Sequence, residues 1–412
     1  MESGTSRRRA NAAVITLAAL VTVVCSLPLY MLGALAPQIN ETLPLAASHV
    51  GIVMAAYWLA AGVGSALTVR FARAFSDRAV MAVAVAVVIA GLAAAALVAS
   101  ETWHLIAIIG ATGVANGLGH APANSRLQSR LPSGAQGLGF GVKQAAIPLA
   151  SVLAGLSVPI FGATLGWRWA LAAGALLCVP SLVAVLGSGQ RSRDELASSA
   201  EPGAGAAMSR AVTSKVLQLS IVTLLGAGAF AASAALVTTV SDVRGWSVEV
   251  AAVALAVSSL VGAVLRVAAT SMPRSSLQRT FGLLVTLLAL GAVGMLLMSV
   301  PVEGAFLTGM LLVHGPGWAW PGILHFVAAQ VSDGHVGAAT GIVQLMVSIS
   351  SAVVPIVAGL LLARFDPTAA WIVLFGLTAA SSLWGARISM SAGFFRPQHD
   401  HASTAERPHL RP

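Results

Sequence analysis

Long apolar runs alternate with short polar breaks along almost the whole chain. Each run is close to the roughly 20 residues that a helix needs to cross the hydrocarbon core of a bilayer. Because no lipid-facing backbone group can stay unpaired there, each run predicts a transmembrane α-helix. The pattern predicts twelve spans, at residues 12–36, 49–69, 79–99, 103–125, 138–162, 167–187, 214–238, 248–270, 280–300, 304–328, 337–363 and 368–389.

One long polar stretch divides the spans into two sets of six. It is rich in Ser, Gly, Ala and charged residues, a composition typical of a flexible linker. The sequence therefore predicts a six-helix bundle at 1–187, a cytoplasmic linker at 188–213, a second six-helix bundle at 214–390 and a disordered cytoplasmic tail at 391–412. The first apolar run is too long for a cleaved signal peptide, so we expect it to remain as the first span.

An offset of 200 residues relates the two sets of spans. Six glycines and one glutamine recur at this offset: Gly62, Gly91, Gly117, Gly134, Gly137, Gly141 and Gln144 are matched by Gly262, Gly291, Gly317, Gly334, Gly337, Gly341 and Gln344. Such a parallel duplication predicts an all-α integral membrane fold, with two six-helix bundles related by a pseudo-twofold axis. Folds of this kind bind substrate near the bilayer midplane between the halves.

Composition and charge place the chain in a membrane with a defined orientation. The residues are 57% hydrophobic and 9% charged, whereas a soluble domain carries about 25% charged residues. With the N-terminus in the cytoplasm, all of the 23 Lys and Arg residues except Arg168, Arg244 and Arg364 lie on the cytoplasmic side. The positive-inside rule therefore predicts a multi-pass protein of the inner (plasma) membrane with both termini cytoplasmic. The basic residues flank apolar runs, so the net charge of +9 does not indicate a nucleic-acid partner.

Two motifs carry a resemblance to a known family. Span five contains Gly141-Val142-Lys143-Gln144-Ala145-Ala146-Ile147-Pro148, and span ten contains Gly317-Trp318-Ala319-Trp320-Pro321-Gly322. With these motifs the chain resembles the major facilitator superfamily over essentially its whole length, and in particular bacterial members with Gly-x-Lys-Gln-x-x-x-Pro in span five. The resemblance implies a monomeric transporter that works by alternating access, and it implies no enzymatic activity, cofactor or metal.

Two other motifs of the superfamily are incomplete here. The loop between spans two and three lacks the usual Asp and glycines, since it contains Ser65, Val69, Arg70, Ala72 and Arg73 at the motif positions. The antiporter motif of span five survives only as Ala154, Val158, Pro159 and Gly162. The chain therefore does not carry the motif that would indicate an exporter.

Two cations lie inside predicted spans, whereas none of the fourteen Asp and Glu residues lies well inside one. They are Lys143 in span five and Arg266 in span eight, which the resemblance makes neighbours across the interface between halves. Ionisable residues at this depth are costly and indicate function. Span eight is also similar to that of monocarboxylate-type facilitators, whose Arg binds the substrate carboxylate, although their preceding Asp is Gly262 here. One hypothesis is an anionic substrate held by both cations; the alternative is that both side chains snorkel to the cytoplasmic interface.

Other polar and aromatic positions complete the predicted site. The resemblance places spans four and ten along the cavity, where a His binds substrate or a proton or is a neutral group hydrogen-bonded between helices. The glutamines either line the cavity or join helices. The candidate substrate-binding residues are Lys143, Arg266, Asn116, His120, His314, Trp318, Gln144, Gln344 and Tyr30.

These observations predict a secondary active transporter for a small organic anion, a carboxylate, with uptake preferred to export. Its partners are the small-molecule substrate, a proton or another coupling ion, and the lipid bilayer. A drug or metabolite exporter of the same superfamily is the alternative, and a channel would differ by lacking saturable counterflow. An intramembrane protease would need His-Glu-x-x-His or paired Asp residues in the membrane, and the sequence contains neither.

Overall fold

The computed structural model describes residues 2–71, 75–189, 208–271, 276–333, 335–391 and 393–395. Within these ranges the chain is helical and contains no β-strand, which confirms the predicted fold class. The predicted linker and tail lie largely outside the described residues, so their boundaries stay predictions.

The helices follow the predicted spans closely. They are α1 Glu2–Ala34, α2 Ala36–Asn40, α3 Ala47–Phe71, α4 Asp77–Val98, α5 Thr102–Arg130, α6 Ser133–Ser157, α7 Trp167–Gly187, α8 Arg210–Val243, α9 Val248–Ser271, α10 Leu277–Ser299, α11 Glu303–Leu312, α12 Pro321–Val331, α13 Val336–Arg364 and α14 Pro367–Met390. A π-helical turn, Val158–Gly162, extends α6. Eleven helices of the described chain are long and apolar enough to cross a membrane. The first span starts earlier than predicted, because α1 continues back to Glu2.

The predicted tenth span differs from the others because it is broken. Helix α11 ends at Leu312, a π-helical turn covers Val313–Gly317, and α12 starts at Pro321. The expectation of one continuous helix at 304–328 is therefore wrong. The cause is the sequence Gly315-Pro316-Gly317, in which Gly315 leaves the helical conformation with φ −76° and ψ −105°. Proline removes a backbone donor and clashes with the preceding turn, so a helix bends or breaks there.

The order of helices repeats in the two halves. Helix α4 starts at Asp77 and α10 at Leu277, whereas α7 starts at Trp167 and α14 at Pro367. Both pairs differ by 200 residues, the same offset that relates the glycines. The chain is thus built of two six-span units that run in the same direction, as the fold prediction requires.

Helices at both ends of the bundle are capped by short polar side chains. We call the end that holds the start of α1 and the end of α14 the terminal end, and the opposite end the distal end. At the terminal end Ser76, Ser209 and Ser276 each accept a hydrogen bond from the backbone amide three residues later, which satisfies a free donor of the first turn. At the distal end Asp366 caps α14, and hydrogen bonds from the side chain and backbone of Thr368 lower the pKa of Asp366.

Two of the three arginines predicted on the non-cytoplasmic side cap helix ends. Arg168 donates to the carbonyl of Ala96 at 2.9 Å and to that of Ala99 at 2.5 Å, at the end of α4. Arg244 donates to the carbonyls of Met298, Ser299 and Val300 at the end of α10. The last carbonyls of a helix lack partners within it and carry its negative dipole end. Arg168 and Arg244 therefore have a structural role, at the end of the bundle where the positive-inside rule predicts few basic residues.

The two halves approach each other closely at the distal end. Thr238 in α8 donates to the carbonyl of Gly33 in α1 at 2.9 Å. A β-carbon on Gly51 in α3 would lie 2.5 Å from the carbonyl oxygen of Pro355 in α13. Only glycine allows the backbones of α3 and α13 to come this close. The distal end is therefore closed by direct contact between the halves.

The close approach at Gly51 can be tested by substitution. Gly51→Ala places a methyl group against the Pro355 carbonyl, so we expect the halves to separate at the distal end. The measurement is the distance between spin labels at Glu101→Cys and Val302→Cys, exposed distal positions in the first and second half. We expect the distances to lengthen relative to the unsubstituted protein.

The matched control lies on the same helix. Gly62 has no atom within 4 Å of an added β-carbon, so Gly62→Ala leaves the distances unchanged. Equal distances in the Gly51→Ala protein and its control would contradict the proposed contact. The buried Cys25 and Cys178 are replaced by Ala in all variants to prevent labelling.

Candidate substrate cavity

A cavity of about 260 Å³ lies between the two halves. It extends from the middle of the bundle towards the terminal end, where Ser65, Asn124 and His325 contribute to its wall. Eight of the nine predicted site residues line it: Lys143, Arg266, Asn116, His120, Trp318, Gln144, Gln344 and Tyr30. The remaining one, His314, lies behind the wall.

The break in the tenth span shapes one side of the cavity. Gly262 of α9 lies against this break, since a β-carbon there would stand 2.1 Å from the carbonyl oxygen of His314. This contact gives a steric reason for glycine at position 262. The space that a side chain would take there is occupied by backbone of the tenth span.

Arg266 connects the broken tenth span, in the second half, to α6 in the first half. Its Nε and Nη2 donate to the carbonyl of Trp318, at 2.9 and 2.6 Å, and its Nη1 donates to the carbonyl of Gln144 at 2.9 Å. The guanidinium also lies 5.3 Å from the centre of the Trp318 ring, within the range of a cation–π contact. Arg266 is 3% exposed. Its side chain is thus fixed in the interior and does not snorkel to an interface.

Lys143 is also buried in the cavity wall, on α6 next to Gln144. It is 1% exposed, and its Nζ lies 3.1 Å from Nδ1 of His120 on α5. The other ring nitrogen of His120, Nε2, lies 3.4 Å from Nδ2 of Asn116, one turn earlier on the same helix. The spacing of four residues predicted that Asn116 and His120 share a face, and the structure turns that face towards Lys143.

Trp318 is the centre of an aromatic cluster on the cavity wall. Its ring meets Tyr30 of α1 edge-on, with 6.1 Å between centroids, and is stacked on Phe230 of α8 at 6.4 Å and 12°. His314 packs edge-on against Trp318 at 5.8 Å. The cluster joins helices of both halves, and through it the broken tenth span packs against α8.

His314 does not take the position that was expected of it. The residue is fully buried, and its Nε2 lies 3.4 Å from Oγ of Ser233. Trp318 stands beside it, and the cavity lining does not include it. The geometry corresponds to the alternative of a His bonded between helices, and we leave His314 out of the proposed site.

Three further aromatic residues line the cavity and were not among the predicted site residues: Tyr57, Trp58 and Trp320. The hydroxyl of Tyr57 donates to the carbonyl of Cys25. The indole Nε1 atoms of Trp58 and Trp320 have no hydrogen-bond partner within the described chain. Both nitrogens are buried, so these two tryptophans contribute ring surface to the wall and not accessible donors. The span-ten motif contains Trp320 and was the signal that could have identified it.

The charge of the cavity wall is positive. Among the described residues that line it, Lys143 and Arg266 are cationic and none is an Asp or Glu. In the part of the chain that the structure covers, no three His, Cys, Asp or Glu side chains form a group able to hold a metal ion. The arrangement is suited to a ligand that carries negative charge and several acceptor atoms.

The role of Gly262 gives a prediction on stability. Gly262→Asp adds a charged side chain that overlaps the His314 carbonyl, so we expect a lower melting temperature. Overpacking of this kind costs about 1–3 kcal/mol. Gly262→Ala separates the causes, since it adds the β-carbon without the charge. A Gly262→Asp protein as stable as the unsubstituted one would contradict the steric explanation.

Several solved structures share this fold. The xylose transporter XylE from E. coli, in a partially occluded inward open conformation, is 13% identical, with a TM-score of 0.69 over 92% of this chain and 99% of that one. The nucleoside transporter NupG is 15% identical, with a TM-score of 0.68 over 92% and 98%. The human organic anion transporter MFSD10 (TETRAN) is 16% identical, with a TM-score of 0.69 over 91% and 99%. At these identities the similarity shows the fold alone.

The sequence comparisons identify the family. A search of functionally curated proteins gives no match. The sequence profile of the Major Facilitator Superfamily matches residues 18–319, which is most of the chain. Profile and fold agree on a transporter and not an enzyme. The chain therefore belongs to the Major Facilitator Superfamily.

Proposed function

We propose that the protein is a secondary active transporter that moves a small organic anion, a carboxylate, by alternating access. It lies in a bacterial inner membrane with both termini in the cytoplasm and uses the gradient of a proton or another ion for uptake. The observation that carries the proposal is the burial of both Lys143 and Arg266 in the wall of one cavity that no described acidic residue lines. In this orientation the distal end, where the halves are in contact, faces outwards.

The electrostatics of the cavity favour an anion. When Lys143 and Arg266 are both protonated, their charges repel each other, and each has lost the hydration that it has in water. A carboxylate between them supplies the compensating charge.

The fixed position of Arg266 favours a small anion. A guanidinium is planar and always charged, and it attracts carboxylates. In this structure Nε and Nη2 donate to the carbonyl of Trp318 and Nη1 donates to that of Gln144, so the backbone holds the positive charge in one place beside the cavity. Because the side chain is already ordered, binding requires little loss of conformational entropy.

The size and walls of the cavity limit the organic part of the substrate. A volume of about 260 Å³ suits a small solute. Aromatic rings of Tyr30, Tyr57, Trp58, Trp318 and Trp320 provide apolar and π surfaces. A planar or aromatic carboxylate fits this lining.

The anion site is tested by thermal stabilisation of the purified protein. A ligand that binds the folded state at about 100 times its Kd contributes about 2.7 kcal/mol, so the melting temperature rises by several degrees. We expect benzoate, lactate or succinate to raise it, and Arg266→Gln to remove this effect. Stabilisation by the lipophilic cation tetraphenylphosphonium and by none of the carboxylates would contradict the proposal and favour the drug exporter.

Arg244 provides the matched control. Like Arg266 it donates to backbone carbonyls and lies near a tryptophan ring, 5.0 Å from that of Trp246, but it is at the distal end and not in the cavity lining. Arg244→Gln lowers the melting temperature of the free protein and keeps the carboxylate effect. Loss of the effect in both variants would show that it depends on stability alone.

A further inference from the structure

Lys143, His120 and Asn116 form a chain of contacts across the cavity wall. Nζ of Lys143 is 3.1 Å from Nδ1 of His120, and Nε2 of His120 is 3.4 Å from the amide of Asn116. An ammonium group has only donors, whereas a neutral imidazole has one donor and one acceptor. If Lys143 and His120 were both protonated, only donors would face each other. The contact between Nζ and Nδ1 therefore contains one proton, which the two nitrogens share.

The chain of contacts has two complete hydrogen-bonded forms that differ by one proton. In the charged form the Lys143 ammonium donates to Nδ1, and Nε2–H donates to the amide oxygen of Asn116. In the neutral form Nδ1–H donates to the Lys143 amine, and Nε2 accepts from the amide nitrogen. The amide can present either atom, since its oxygen and nitrogen are exchanged by a rotation. Loss of a proton therefore breaks no hydrogen bond.

We propose that Lys143, paired with His120, is the site of the coupling proton, so that a proton and the anion are carried together. This inference rests on the proposed function and names its coupling ion. The empty site has the neutral pair, and the loaded site has the charged pair with the anion between Lys143 and Arg266. One proton and one negative charge enter and leave together, so the substrate step adds no net charge to the carrier.

The other ionisable groups near Lys143 and His120 are less suited to carry the coupling proton. Arg266 of α9 keeps its proton at physiological pH. Tyr57 of α3 already donates its hydroxyl proton to the carbonyl of Cys25. His325 of α12 has its Nδ1 at 2.9 Å from the carbonyl of Pro321, and Tyr30 of α1 packs on Trp318. Lysine, unlike arginine, changes its protonation state readily when it is buried.

The composition of the chain allows a direct test. Lys143 and Lys215 are its only lysines, so the full-length protein labelled with ¹⁵N at lysine Nζ gives two side-chain signals. The Lys215→Arg variant assigns the signal of Lys143. In lipid nanodiscs we expect the signal of Lys143 to show a change of protonation between about pH 5 and pH 9, and the signal of Lys215, at the terminal end of α8, serves for comparison.

Two changes connect the titration of Lys143 to its partners. Saturating benzoate moves the protonation change of Lys143 to higher pH, because the anion stabilises the ammonium. His120→Phe removes the acceptor and moves it to lower pH. His104→Phe is the control, since His104 lies on the same helix but is exposed at the distal end and outside the cavity lining, and it leaves the protonation change in place.

The outcomes separate this inference from the proposed function. A Lys143 that stays charged up to about pH 9 would overturn the proton site, even where benzoate stabilises the protein. Benzoate binding without any effect on the titration would overturn the coupling. Absence of stabilisation by all the carboxylates, with Lys143 still changing its protonation, would overturn the anion as substrate and leave the proton site in place.

Discussion

The cavity depends on a buried arginine that completes a broken helix. Where Gly315, Pro316 and Gly317 interrupt the tenth span, the carbonyl of Trp318 accepts two hydrogen bonds from Arg266. Within a membrane a backbone carbonyl without a partner costs several kcal/mol, and irregular backbone is tolerated only against protein or a water-filled cavity. The same guanidinium supplies the hydrogen bonds that the broken helix lacks at Trp318. It also donates to the carbonyl of Gln144 in the other half, and it gives the cavity a positive charge.

This interaction belongs to a wider use of arginine in the fold. Arg168 and Arg244 bond the carbonyls at the ends of α4 and α10, and Arg126 bonds Ser188 and Gly189 just beyond α7. All of these lie near ends of the bundle. Arg266 makes the same kind of contact in the interior, beside a cavity, and there the charge becomes available to a ligand. Its position, more than its chemistry, distinguishes the candidate site from the structural caps.

The fold was accessible from the sequence because lipid imposes a simple constraint. Each apolar run long enough to cross the bilayer became a helix, and Lys143 and Arg266 were recognised because charge is rare within such runs. The break in the tenth span was missed, although Gly315-Pro316-Gly317 carried the signal. A mean hydropathy does not show that the neighbouring Gly262 leaves space for the displaced backbone.

The composition of the site was harder to predict than the fold. Eight of the nine candidates line the cavity, yet Trp58 and Trp320 were missed and His314 lies behind Trp318. Which face of a span meets the cavity depends on contacts between helices far apart in sequence, such as that of α8 with α1 through Thr238 and Gly33. Apolar periodicity is weak in a helix surrounded by lipid and protein, so it does not assign these faces. The contact of Lys143 with His120 likewise depends on how α5 and α6 pack.

Counterflow in proteoliposomes tests the central claim most directly. Vesicles that contain the purified protein are loaded with the unlabelled carboxylate that stabilises it most and are diluted into the same carboxylate in radiolabelled form. Alternating access through one anion site predicts transient accumulation of label above its external concentration, saturable with carboxylate and abolished by Arg266→Gln. Equilibration of label without accumulation, or flux that does not saturate, would contradict the account and indicate a channel-like path.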